Sequence, residues 1–489
     1  MAKEADVADK ELYNTTQDVE KAYKEKVQVV PPVQRSAMIG AGMLGLPDAL
    51  SYLGWIAGPA MITVFYLVSL LTSLFLADLH CANGERYATY RKAVHSILGD
   101  KVIKLMTVFQ VCSWTLCIFA YTVGAGISGR QVLVVTGHMS PDDNLWPIML
   151  VFGAIECVIS QLPSLNDAHW SSAVGAFMSM GYSLVTLGLC AAKAYNHQGT
   201  IGGIPDLTPA NRAFGIMNSL GAIAFAYSFS AVLMEIEDTI KDPNEDRPPA
   251  EALPRTLSRP SARNGWVDLA RASRGTEADS MGRPRLSHSS LSLYTPYAVV
   301  NIMKRAVLVS LTVSYLLYIS VAITGYMAFG NSVNGQVLAT PNLGPVWAVV
   351  LGNVMVFAHM ISAVQVFSQP FFVLCEGKLF KRFPDAFGSR SQLGIRLVFR
   401  TSYVALCTFI SCLIPFFIQI MGLVGAIVYW PITVLFPILM WLAIYPHKWF
   451  HAAGLQTVNV LMALVAIAAA TGSVRLIITN ASSYTLFKN

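Results

Sequence analysis

The chain has 489 residues, of which 54% are hydrophobic and only 13% charged. A water-soluble domain carries about 25% charged residues, so the deficit excludes an ordinary soluble enzyme or binding module and points to hydrocarbon surroundings. The formal net charge of +6 would suggest anionic partners if it were spread over a surface. Instead the basic residues gather in a few loops, and no nucleic-acid partner is expected.

Residues 1–32 are polar and lack an apolar h-region, so they read as a cytoplasmic tail rather than a cleavable signal peptide. A spanning helix needs roughly 20 largely uncharged residues. Candidate spans follow at about 33–55, 59–77, 105–129, 145–162, 170–192, 213–240, 306–329 and 345–375. The uncharged stretch 401–446 is long enough for two helices, divided near Gln419, and an eleventh span covers about 455–474. The expected organisation is six spans in 33–240, a long loop at 241–300, five spans in 301–479 and a short tail at 480–489. Eight cysteines lie mostly in apolar runs with no metal-ligand or disulfide spacing, and read as small buried residues.

Cytoplasmic loops are enriched in Lys and Arg. With the N-terminus inside, the inner segments hold 29 basic residues and the outer ones five: Arg130, Lys193, Arg212, Arg475 and Lys488. That asymmetry predicts an integral, multi-pass protein with its N-terminus cytoplasmic and its C-terminus outside. The 241–296 stretch is rich in Pro, Ser and Arg, the composition of a disordered segment. Ser258 and Ser287 follow arginines at kinase-like spacing. Two readings stand for it, a tolerated linker and a segment regulated by a kinase.

The first and sixth spans break the pattern of ordinary spanning helices. Ile39 to Pro47, IGAGMLGLP, place three glycines and a proline inside nine positions. Asn218 to Ser230, NSLGAIAFAYSFS, cluster small and hydroxylated residues in mid-span. Freed amides and carbonyls survive in a bilayer only where they line a cavity or meet a ligand. Close packing of small residues between helices explains either segment alone. The two lie five spans apart, an odd number, so they cross in opposite senses, as in an inverted repeat whose broken helices form a midplane site. Amides after Gly42 suit a carboxylate, and carbonyls in the opposite break suit an ammonium group. A donor cluster facing an acceptor cluster fits a zwitterion such as an α-amino acid.

The strings IGAGMLGLPDALSYLGWIAGP, AFAYSFSAVLMEIEDTIKDP and RTSYVALCTFISCLIPFFIQIMGLVGAIVYWPITVLFP resemble the amino acid/auxin permease family, in its plant amino acid permease and lysine/histidine transporter branches. The resemblance runs from about Ser36 to Leu486 outside the 241–296 loop. It implies an all-α integral membrane protein of eleven helices, a leucine-transporter-like 5+5 inverted repeat plus one extra helix. It also implies proton-coupled amino acid import at the plasma membrane. Carried over by position, the substrate-binding residues are Ile39, Gly40, Ala41, Gly42, Met43, Tyr121, Thr122, Phe225, Ala226, Tyr227, Ser228 and Gln365. His359 matches the motif of the eighth span. Val33 stands where these branches commonly carry a histidine, and Asp48 where they carry an aromatic residue.

An ionisable group inside a span is a functional hypothesis by default. The proton-coupling candidates are His359, whose charge switches near neutral pH, Glu156 and Asp48. A neutral histidine hydrogen-bonded between helices and a structural acid are the alternatives for the first two. Beyond the substrate and lipid, no cofactor or metal is expected, and the coupling ion is a proton or, failing that, sodium. Competing functions are an auxin-like carrier and an amino acid sensor without transport. No metalloprotease, nucleophile-elbow or phosphate-loop pattern supports an enzyme.

Overall fold

A computed structural model describes residues 40–82, 85–87, 89–161, 169–205, 207–228, 277–278, 284–285, 288–382, 389–482 and 484. A 3-10 turn at Ala41–Gly45 leads into helix α1 (Leu46–Leu79). There follow α2 (Tyr90–Leu98), α3 (Asp100–Val135), α4 (Trp146–Ile159), α5 (His169–Lys193) and α6 (Pro209–Ala226). The second half comprises α7 (His288–Phe329), α8 (Val346–Arg382), α9 (Ser389–Leu413), α10 (Phe417–Val428), α11 (Phe436–Ile444) and α12 (Trp449–Ala481). Two ladders of two-residue strands are the only sheet among the described residues, pairing Cys81–Ala82 with Glu85–Arg86 and Glu277–Ala278 with Pro284–Arg285. Thr89 caps α2 and Thr208 caps α6, each hydroxyl accepting from an amide three residues on. Helix α7 begins at His288, inside the stretch expected to be loop. The rest of that stretch lies largely outside the described residues.

Eight helices among the described residues are long and apolar enough to cross a membrane, and Trp146–Ile159 is a shorter apolar one. The first of the eight, Ala41–Leu79, is not straight. Gly54 adopts φ 76°, a conformation that disfavours any side chain. A Cβ placed on Gly58 would lie 3.6 Å from Leu50 Cα. Eight residues of straight helix would separate those positions by about 12 Å, so the chain doubles back at Gly54. The first two expected spans are thus the limbs of one helical hairpin. Farther on, the division expected near Gln419 falls at 414–416, where Pro415 interrupts the helical pattern. A π-helical segment, Tyr429–Leu435, joins α10 to α11 around Pro431.

Antiparallel pairs fix the bundle. The second limb of α1 runs along α7, with Thr63 bonded to Tyr315 at 3.0 Å and Tyr66 to Thr312 at 2.9 Å. Asp78 of α1 pairs with Lys304 of α7 at 2.5 Å. Small residues allow the closest approaches: Gly153 of α4 meets Thr408 of α9, and Gly221 of α6 meets the Gly422 backbone of α10. Ser473 of α12 donates to Asn218 of α6 at 2.9 Å. At one end the α5–α6 connection folds over the bundle. Its Gln198 amide donates to Met327 of α7 at 2.8 Å, its Ile204 amide to Ser51 of α1 at 2.9 Å, and its Thr200 amide to the Tyr326 hydroxyl at 2.9 Å. The α7–α8 connection at the same end buries Val337, Leu338 and Ala339, and its Gln336 amide donates to Ser128 of α3 at 2.5 Å.

At the opposite end Arg400 of α9, 3% exposed, makes two bonds to Glu376 of α8, at 2.7 and 3.1 Å. It donates a third, at 2.9 Å, to the Ser160 carbonyl that ends α4. Its guanidinium also lies 5.0 Å from the Phe372 ring centroid. One arginine therefore ties three helices together. Removing one partner of a buried pair leaves the other charge uncompensated and costs about 3–5 kcal/mol. We expect Arg400→Leu to lower the thermal unfolding temperature of the detergent-purified protein sharply, and Arg400→Lys to do so less.

Candidate substrate site

The interruption of the first span and the end of α6 are held in contact. Gly42 packs so tightly that a Cβ there would sit 2.6 Å from Ala226 Cα. No residue but glycine fits that crossing. Gly40 donates its amide to the Tyr318 hydroxyl of α7 at 3.1 Å. The first residues of a helical segment have no intrahelical acceptor, so the turn at Ala41–Gly45 needs such external partners. On the other side α6 stops at Ala226, and the Tyr227 amide turns back to the Ala224 carbonyl at 3.1 Å. Ser228 donates to the same carbonyl at 2.7 Å.

Aromatic rings surround this crossing. Tyr121 of α3 lies 6.3 Å from Phe225 of α6 and 5.6 Å from Phe367 of α8, centroid to centroid. Tyr227 meets Tyr318 edge-on at 5.5 Å. The hydroxyls of Tyr227 and Tyr182 are buried with no hydrogen-bond partner among the described residues. A buried phenol normally finds one, so these two are groups that a polar ligand or water would satisfy. Ala41 and Met43, on either side of Gly42, are buried. A surface recess of about 250 Å³, lined by Trp55, His197, Gln198 and Met327, lies instead beside the folded α5–α6 connection.

The structure thus brings together nine of the twelve expected substrate residues, Gly40 to Met43, Tyr121 and Phe225 to Ser228, and buries Thr122 next to Tyr121 on α3. Ile39 lies outside the described residues, as do Val33, Ser258 and Ser287. Gln365 is engaged elsewhere, donating to Glu156 of α4 at 2.6 Å. His359 sits between α8 and α5, its Nδ1 3.0 Å from the Gly175 carbonyl and its ring edge-on to Tyr182 at 5.5 Å. A carbonyl only accepts, so Nδ1 carries the hydrogen. Asp48 is half-buried in the first turn of α1. Tyr318, Tyr182 and Phe367 were not foreseen. A phenol within an otherwise apolar span, as in SYLLYIS at 314–320, is the signal that would have marked the first.

A model of the transmembrane amino acid transporter family matches residues 34–253 and 292–479. The chain belongs to this family. It is 30% identical to amino acid permease 2 of Arabidopsis thaliana, over 93% of this chain and 88% of that protein. It is 28% identical to lysine histidine transporter-like 1 of the same plant, over 92% and 88% respectively. Among solved structures it is similar to Mhp1, a nucleobase-cation-symport-1 family transporter, in a closed conformation with bromovinylhydantoin bound. That likeness covers 94% of both chains at 12% identity and a TM-score of 0.44.

Two substitutions test the crossing. We expect Gly42→Ala to weaken amino acid binding by at least about tenfold, equivalent to 1.4 kcal/mol, and Gly42→Val to abolish it, measured by scintillation proximity on purified protein. Tyr318→Phe strips the Gly40 amide of its partner, which costs about 1–3 kcal/mol for a buried donor and should appear as a lower unfolding temperature that added amino acid partly restores.

Proposed function

We propose that this family member is a secondary active transporter importing α-amino acids together with protons. The observation that carries the reading is the contact of Gly42 with Ala226, where two interrupted helices of opposite sense meet inside a ring of partly unsatisfied phenols. Amides at the start of one segment attract a carboxylate, and carbonyls at the end of the other attract an ammonium group. A zwitterion satisfies both at once.

Eleven spans account for the chain. The hairpin at Gly54 makes two of its first long helix, and Trp146–Ile159 and the segment beginning at Pro209 join the remaining seven. The pairing of α5 with α8 is matched by that of α10 with α3, while α1–α6, α3–α8 and α4–α9 pairs map onto themselves. Those are the contacts a 5+5 inverted repeat requires, and α12 is the additional helix. The 29-to-5 division of basic residues sets α2 and the Arg400 end toward the cytoplasm and the folded α5–α6 connection outside. The plasma membrane is the site of action that the resemblance to plant permeases supports. A kinase acting on 241–296 would tune the protein from the cytoplasmic side.

Protons fit the chemistry because three ionisable side chains, His359, Glu156 and Asp48, lie within the spans. The membrane potential adds about 2.3 kcal/mol per charge per 100 mV to such import. Uptake of a labelled mixture of L-amino acids into proteoliposomes should be electrogenic and stimulated by external acid without sodium. An absolute sodium requirement with no response to pH would overturn the proton reading, and binding without flux would favour a sensor.

A further inference from the structure

Glu156 is 1% exposed, deep in α4 on the face that also buries Met149, Phe152 and Gly153. One carboxyl oxygen accepts from Gln365 at 2.6 Å. The other is sealed from solvent and has no partner among the described residues. Gln369, one turn farther along α8, donates to Gln365 Oε1 at 3.4 Å. An ionised carboxylate in hydrocarbon-like surroundings needs several hydrogen bonds or a paired cation. Among the described residues one neutral amide is its only hydrogen-bond partner.

Gln365 is the twentieth of the 37 residues of α8, hence near the middle of the bundle. Phe367 follows two positions later, about 200° around the helix, and meets Tyr121 at the substrate crossing. One turn of α8 thus presents a ring to the substrate side and an amide to Glu156. Farther toward the cytoplasmic end the same seam reaches Glu376, Arg396 and Arg400, with Arg396 3.4 Å from Glu376. Arg400 bonds the Ser160 carbonyl, one turn from Glu156. The other titratable groups packed about the seam, among the described residues, are Cys157 on α4, Cys375 on α8, Tyr403 and Cys407 on α9, and Cys117 and Tyr121 on α3. None of these is a cation.

His359 differs in each respect. Its ring hydrogen is engaged by the Gly175 carbonyl, and it faces α5 rather than the charged seam. Asp48 is half-buried in the first turn of α1, three residues before the Ser51 carbonyl that holds the α5–α6 connection, and away from that seam.

We propose that Glu156 is the carboxyl that carries the coupled proton, with Gln365 as the positioning residue that reports its charge to the substrate side. The inference rests on the proton-symport reading above. In the form described, Glu156 is the neutral acid. When the cytoplasmic end opens, the O–H bond of Glu156 breaks, the proton passes to water on that side, and the electron pair stays on the carboxylate. Reprotonation resets the Gln365 bond and, through α8, the position of Phe367.

Proteoliposomes holding the full-length protein test this with a labelled mixture of L-amino acids and a lumenal pH dye. Wild type should show gradient-driven uptake with acidification of the lumen. Glu156→Gln should lose both yet retain exchange of external label for internal unlabelled amino acid. Gln365→Met should move the midpoint of the pH profile of whatever uptake it retains by about one unit, a tenfold change in proton affinity. Should Glu156→Gln lose exchange as well, the Gln365→Met profile decides: a shifted midpoint supports the inference, and a wild-type profile overturns it. A Glu156→Gln protein that still acidifies the lumen during uptake overturns it directly. A wild type with no proton response sinks the symport reading and this inference together, whereas a responsive wild type matched by Glu156→Gln sinks only the latter.

Discussion

The approach of Gly42 to Ala226 is the constraint around which this bundle is arranged. Two segments that cannot complete their own backbone hydrogen bonds must meet in a place shielded from lipid, and every neighbouring element serves that requirement. Helix α7 sends Tyr318 to hold the Gly40 amide. Helix α3 places Tyr121 between Phe225 of α6 and Phe367 of α8. Helix α10 packs glycine to glycine against α6, which allows the interrupted helix to lie close enough to its partner. A methyl group at Gly42 would disturb all these contacts, because the obstacle it meets is backbone rather than a movable side chain.

Helix α8 connects the two halves of the chemistry. Its residues face three neighbours in turn: His359 toward α5, Gln365 toward α4, and Phe367 toward α3. A rigid helix with distinct contacts on three sides converts a small rotation into changes at each of them, since close-packed interfaces switch rather than deform. At its C-terminal end the Glu376–Arg400 pair ties it to α9 and to the end of α4.

Much of this was legible in the sequence because hydrophobic span length and glycine content are strong local signals. The IGAGMLGLP string announced its own break, and the small residues of 218–230 located its partner. What the linear pattern did not reveal depends on helix rotation and on turns. Gln365 lies in a span expected to border the substrate, but which face of α8 it occupies is decided by packing against α4. The reversal at Gly54 needed only one residue in an unusual conformation, too short an event for a hydropathy window to place. The division near Gln419 was off by a few residues because Pro415 and the aromatic residues after it continue the apolar run through the turn. Tyr318 and Tyr182 went unnoticed since a tyrosine in a span is usually an interfacial anchor, and only their depth marks them as part of the site.

The folded α5–α6 connection carries a consequence for time rather than affinity. It is held to α1 and α7 mainly by backbone amides and one phenol, at Ser51, Met327 and Tyr326. Each such bond exchanges for a bond to water at a net cost of about 0.5–1.5 kcal/mol. A cover fastened this way is closed for most of its lifetime, yet it needs no unfolding of a hydrophobic interface to lift. Its opening therefore belongs with loop and lid motions on the microsecond to millisecond scale. It would act as a fast door at that end of the bundle, in a transport cycle whose slower steps lie in the movement of whole helices.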